Sequence, residues 1–119
     1  MFKLPQEIEF FYIIPKIRSI FAKRMLKEGY SYEEIAKNLG ITKTSVNNYL
    51  KEKRAKNIKF SKEIEEEIEK SLKKVIEKKS NFLIESQNIL KLIREKKFSC
   101  FLCKKYNKDV FEYCREKIC

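Results

Sequence analysis

Four cysteines crowd the last twenty residues of the chain. Cys100, Cys103, Cys114 and Cys119 follow the spacing C-x2-C-x10-C-x4-C, and no cysteine lies elsewhere. Thiolates are soft donors, and a C-x2-C pair can present two sulfurs to one metal. With no histidine in the chain, a site built here is all sulfur. Zinc and a [4Fe–4S] cluster both accept four thiolates. Zinc knuckles usually place Gly or Pro beside their ligands, whereas the neighbours here are Phe101, Leu102, Lys104 and Lys105. Phe98, Phe101, Tyr106, Phe111 and Tyr113 form an aromatic shell that would limit solvent access to a cluster and tune its potential. The same rings serve equally well as plain apolar filling. The expectation is a metal centre on these four cysteines, read first as [4Fe–4S] with Zn2+ as the alternative. Two disulfides, or clustered inert thiols, stand behind both.

A second group of residues has nucleic-acid chemistry. Residues 31–51 read SYEEIAKNLGITKTSVNNYLK, two short helical patterns separated by a tight turn. Ile35, Ala36 and Leu39 make the apolar face of the first, and Val46, Tyr49 and Leu50 that of the second. Lys43, Thr44, Asn47, Asn48 and Lys51 then share the opposite face of the second helix. An Asn amide can pair with adenine N6 and N7, Lys can reach guanine or a phosphate, and a Thr methyl can touch thymine. This is the pattern of a helix-turn-helix whose second helix suits the DNA major groove. A plain helical hairpin that binds nothing is the blander account.

The ends of both helices are marked. Ser31 with Glu34 forms a capping box: the hydroxyl accepts from an orphan amide and the carboxylate reaches back to the cap amide. Thr42 stands where the second helix needs its N-cap. Gly40 can take the positive φ of a sharp helix exit, and small Ala36 lets the helices approach closely.

The run Leu4-Pro5-x-x-Ile8-Glu9, then Pro15-x-Ile17-Arg18-x-x-x-Ala22-Lys23, the motif itself and YLKEKR at 49–54 resemble a family of small archaeal transcriptional regulators. These carry a helix-turn-helix of the lambda-repressor (Cro, XRE) type. The likeness is good over about the first 60 residues and looser into the cysteine-bearing tail. It implies a compact, dimeric, helical DNA-binding domain acting on promoters. The family's DNA-reading positions fall on Lys43, Thr44, Asn47 and Asn48. Asn47-Asn48 replaces the Ser-Gln pair common after the core Val, so the operator sequence cannot be borrowed.

Charge agrees with a polyanionic partner. Lys and Arg number 28 against 17 Asp and Glu, a formal net charge of +11. Residues 43–59 concentrate the excess: Lys43, Lys51, Lys53, Arg54, Lys56 and Lys59 face only Glu52. Phosphate contacts release counterions and weaken with salt. Lys53, Arg54 and Lys56 are therefore assigned to backbone binding without regard to sequence. A merely solvated Lys-rich surface is the competing account.

Other classes find less support. No apolar run approaches the roughly 20 residues of a membrane span, and no signal-peptide pattern is present, so the expected location is the cytoplasm. The chain has no histidine, no Gly-rich phosphate loop and one aspartate, Asp109, and the expectation is that it is not an enzyme and takes no small-molecule substrate. Abundant Lys, Glu and Ile with few Gly and Pro fit an AT-rich thermophile.

The elements that position these groups are read as all-α. A short helix over 5–14 would carry Phe10, Phe11, Ile13 and Ile14. Pro15 opens a second helix that runs to Glu28 before Gly29 ends it. Ile17, Ile20, Phe21 and Leu26 of this helix should pack on Ile35, Leu39 and Val46, with Arg18, Lys23 and Arg24 near the phosphate backbone. Ser61 starts a helix with Ile64, Ile68, Leu72, Val75 and Ile76 at helical spacing. After Ser80-Asn81, another follows with Phe82, Leu83, Ile84, Ile89, Leu90, Leu92 and Ile93. The organisation expected is 1–59 as the DNA-binding domain, 60–97 as a helical hairpin for dimerisation, and 98–119 as the metal tail.

The resulting expectation is a homodimeric regulator that binds double-stranded DNA at Thr42, Lys43, Thr44, Asn47, Asn48, Lys51, Lys53, Arg54 and Lys56. Its cysteine tail would sense redox state, oxygen or iron. Alternatives are a DNA-binding protein with a structural zinc staple, or a protein-interaction or electron-transfer module whose helix-turn-helix docks a partner.

Overall fold

The computed structural model describes residues 4–51 and 58–98. The described residues form helices and no strand: α1 (Pro5–Ile8), a π-helical segment (Glu9–Ile13), α2 (Ile14–Lys27), α3 (Tyr32–Leu39), α4 (Lys43–Leu50), α5 (Lys62–Ile76) and α6 (Phe82–Glu95). The four cysteines and Lys53, Arg54 and Lys56 lie outside the described residues.

The N-terminal helix differs from its expected form. Helical turns continue from Pro5 to Lys27 through the π segment, where Ile14 N–H donates to Glu9 carbonyl oxygen, five residues back. Such a wide turn accommodates one extra residue and shifts the faces of the helix. Ile8 and Ile13 consequently point inward, fully buried, while Phe10 is 62% exposed and Phe11 also reaches the surface. Glu9 is drawn inside as well, and Arg94 grips it through two bonds, Nε–Oε1 at 2.9 Å and Nη2–Oε2 at 2.8 Å. The expected apolar payload of Phe10 and Phe11 was thus misplaced. Pro15 lies inside this continuous helical run, where it has no N–H to donate to the preceding turn, and the wide π turn stands directly before it. Gly29 ends the helix at φ 94°.

Every remaining helix start carries its side-chain cap. Ser31, Thr42, Ser61 and Asn81 accept from the backbone N–H three residues on. Each satisfies a donor that the first turn would otherwise leave orphaned.

One apolar core links all the helices. Ile17, Phe21 and Met25 of α2 meet Ile35 and Leu39 of α3 and Val46 of α4. Met25 occupies the place expected for Leu26, which is 42% exposed, because the 3.6-residue period turns position 25 inward. Ile64, Ile68, Leu72 and Val75 of α5 are buried, as are Phe82, Ile89, Leu90 and Ile93 of α6. These two helices pack on each other and on α2 and α3. The Phe82 ring meets Phe21 edge to face, with centroids 4.9 Å apart, an arrangement favoured by the ring quadrupoles. The apolar surface of α6 therefore divides: Leu83 (73% exposed) and Ile84 stay outside, and the rest is spent on the intramolecular core.

Candidate nucleic-acid interface

The site begins at the turn between α3 and α4. Gly40 takes φ 69°, a left-handed conformation that costs glycine little. Ile41 N–H then donates to Ala36 carbonyl oxygen at 3.0 Å, closing the end of α3. Two residues later Thr42 caps α4: its Oγ1 accepts from Ser45 N–H at 3.1 Å and donates to Ser45 Oγ at 2.8 Å. The exit and entrance are thus both fixed, and α4 leaves at a defined angle.

Ahead of the turn, the capping box on α3 is complete. Ser31 Oγ accepts from Glu34 N–H at 3.1 Å, and Glu34 Oε1 accepts from Ser31 N–H at 3.0 Å. These bonds to Ser31 hold the Glu34 carboxyl below its ordinary value, because they favour the charged form.

Helix α4 has one anchored face and one open face. Val46 is fully buried, with Tyr49 and Leu50 partly buried against the same core. Opposite them, Lys43, Thr44, Asn48 and Lys51 are exposed and Asn47 is half-buried. At 3.6 residues per turn these five fall within an arc of roughly 140°. The structure places together six of the nine residues expected to meet DNA: Thr42, Lys43, Thr44, Asn47, Asn48 and Lys51. None of these six is sealed inside the molecule.

Two neighbours of this face were not visible in the local sequence. Glu33, in the first turn of α3, reaches Lys43 Nζ at 3.5 Å. Both side chains are largely exposed, so this pair is weak and readily exchanged for another anion. Arg18, half-buried on α2, donates from Nη1 to Tyr49 Oη at 3.0 Å and lies with its guanidinium carbon 5.6 Å from the Tyr49 ring centroid. It braces α4 from behind. Arg24, expected near DNA phosphates, is instead bound to Glu69 of α5 at 2.9 Å and to Glu28 at 3.4 Å. Its charge is already partnered, and α5 lies where the sequence alone gave no warning of a carboxylate. Lys23 remains exposed.

Among the described residues, no group of three or more His, Cys, Asp or Glu is arranged to hold a metal, and no helix is long and apolar enough to cross a membrane. No curated protein and no solved structure matches the chain. A helix-turn-helix domain family matches residues 21–101, from the middle of α2 through α3, α4, α5 and α6. Two helices joined by a tight turn are what that family's name describes, and the chain belongs to this helix-turn-helix domain family.

Proposed function

We propose that the protein is a sequence-specific transcriptional regulator that lays α4 in the major groove of double-stranded DNA. The carrying observation is the open face of α4, where Lys43, Thr44, Asn47, Asn48 and Lys51 project away from the Val46 anchor. Asn47 and Asn48 read base edges, adenine above all, because one amide both donates and accepts. Lys43 contacts phosphate or guanine, Lys51 contacts phosphate, and Thr42 and Thr44 line the entry of the helix. Lys53, Arg54 and Lys56 extend the cationic track beyond α4, which the sequence supports. A lambda-repressor-like arrangement is favoured by the motif and by the helices that brace it.

One eight-residue recognition helix reads only a few base pairs, so the protein acts as a homodimer on two half-sites about one DNA turn apart. It works in the cytoplasm, with no catalytic role. Fluorescence anisotropy with a labelled duplex, titrated with salt, tests the reading. Binding should fall steeply as salt rises, with several counterions released; salt-independent binding, or none, contradicts it.

The tail is read from the sequence as a metal centre on Cys100, Cys103, Cys114 and Cys119, a [4Fe–4S] cluster sensing redox state, oxygen or iron, with structural zinc as the alternative. The supporting observation is the all-thiolate spacing in a chain without histidine. Anaerobic purification separates the two. A cluster protein is brown with broad absorption near roughly 400 nm, and zinc is colourless. Equal DNA affinity with and without the metal would reduce it to a structural part.

A further inference from the structure

A cleft of about 530 Å³ lies between α2, the end of α3 and the first turns of α6. Its size falls in the range of small-ligand pockets, about 300–1,000 Å³. Ile14, Ile17, Leu39, Phe82, Leu83 and Leu90 make its walls largely apolar. Its charged lining residues are Arg18 and Lys37, and no acidic side chain lines it among the described residues. The electrostatic complement of such a wall is an anion carried on an apolar body.

Arg18 shows why a carboxylate is the fitting anion. Its Nη1 bonds a neutral acceptor, the Tyr49 hydroxyl, while its Nε is buried with no hydrogen-bond partner. A buried donor left unmade is unfavourable. A carboxylate offers the guanidinium two parallel charge-assisted bonds, which suit its planar fork far better than one phenol oxygen. Arg18 thus has one neutral acceptor in Tyr49 and one unmet donor, and it lines the cleft that a carboxylate would enter.

We propose that this cleft binds a small apolar carboxylate, whose carboxyl group takes Arg18 from Tyr49. Because Tyr49 belongs to α4, occupancy loosens the brace behind the recognition helix and shifts DNA affinity, and by linkage DNA shifts ligand affinity equally. Only this consequence rests on the DNA-reading assignment. The ligand site itself does not.

The test is calorimetry on the full chain without DNA, using 2-naphthoate, its neutral isostere 2-naphthamide, and inorganic phosphate. Naphthoate should bind one per chain, with naphthamide and phosphate each weaker by about tenfold or more, reflecting lost charge-assisted bonds and lost apolar contact respectively. Arg18→Gln should erase the preference for naphthoate. Gln87→Glu, an exposed near-isosteric change on the α6 wall, places a carboxylate in the cleft and should weaken naphthoate by a similar factor while sparing the fold. Tyr49→Phe removes the competing acceptor and should strengthen naphthoate several-fold. The proposal is overturned by equal affinity for naphthoate and naphthamide, by phosphate binding as tightly as naphthoate, by no heat at millimolar naphthoate, or by Tyr49→Phe leaving the affinity unchanged. Failure of DNA binding in the salt titration touches none of these readouts.

Discussion

Arg18 on α2 and Tyr49 on α4 are joined across 31 positions of sequence by a 3.0 Å hydrogen bond. The guanidinium also lies near the face of the tyrosine ring, 5.6 Å from its centroid, where the ring quadrupole attracts it. Removing the hydroxyl leaves the cation stacked but deprives it of its acceptor. Tyr49→Phe is therefore expected to destabilise the fold by about 1 kcal/mol, as read from urea unfolding. An unchanged midpoint would show that water replaces the hydroxyl fully.

The Glu33–Lys43 pair sits on the proposed DNA-facing surface, with an acidic group 3.5 Å from the cation proposed to meet phosphate or guanine. Glu33→Gln frees Lys43 and removes a charge that repels the duplex. DNA affinity should rise by up to about fivefold at low salt, the scale of an exposed ion pair, and the gain should shrink as salt is added. A loss of affinity would mean that Glu33 positions Lys43 rather than competing for it.

Two arginine–glutamate contacts hold the helices together, and they should differ in weight. Glu9 is buried and takes both of its bonds from Arg94, whose guanidinium is thereby held above its ordinary value. Arg94→Ala strands a buried carboxylate and should cost about 2 kcal/mol, below the fully buried case because Arg94 itself is half in water. Arg24 and Glu69 are both solvent-exposed, and Arg24→Ala should cost no more than about 1 kcal/mol. Paired denaturation curves test the order, and equal losses would contradict it.

The α3 capping box gives a pH signature. The Glu34 carboxyl is held below its ordinary value in the folded chain because Ser31 donates to it. Its contribution is complete above the ordinary value and disappears as pH falls through the depressed one. Wild type should exceed Glu34→Gln in stability at neutral pH, and the two should converge in acid. A difference that persists unchanged at low pH would remove the carboxylate from the explanation.

Local chemistry made much of this architecture legible. Ser31 with Glu34, Thr42, Gly29 and Gly40 mark helix ends through bonds made within a few residues, and all act where the sequence places them. The stripe Ile64, Ile68, Leu72 and Val75 needed only the helical period to be seen. What stayed hidden depends on distant partners. The local cue to the π segment, Pro15, reads equally well as a helix start, and its buried Glu9 is met by Arg94, 85 positions away. The Arg24–Glu69 and Arg18–Tyr49 bonds span 45 and 31 positions, beyond the reach of any spacing rule. Phe10 was read as core because it is apolar, yet the π turn carries it outward. That Thr42, Lys43, Thr44, Asn47, Asn48 and Lys51 share one open surface was legible because each lies on a single short helix or at its cap.

Selection of bound sequences from a randomised duplex library tests the assignment of α4 most directly. The wild-type chain should enrich a defined motif containing adenines, and Asn47→Ala should relax the preference at one position per half-site, a change of about 1–3 kcal/mol there. Lys51→Ala should instead weaken every sequence alike and lower the salt slope by about one. Enrichment of no motif, or recovery of an unchanged one by Asn47→Ala, would contradict the placement of this helix in the groove.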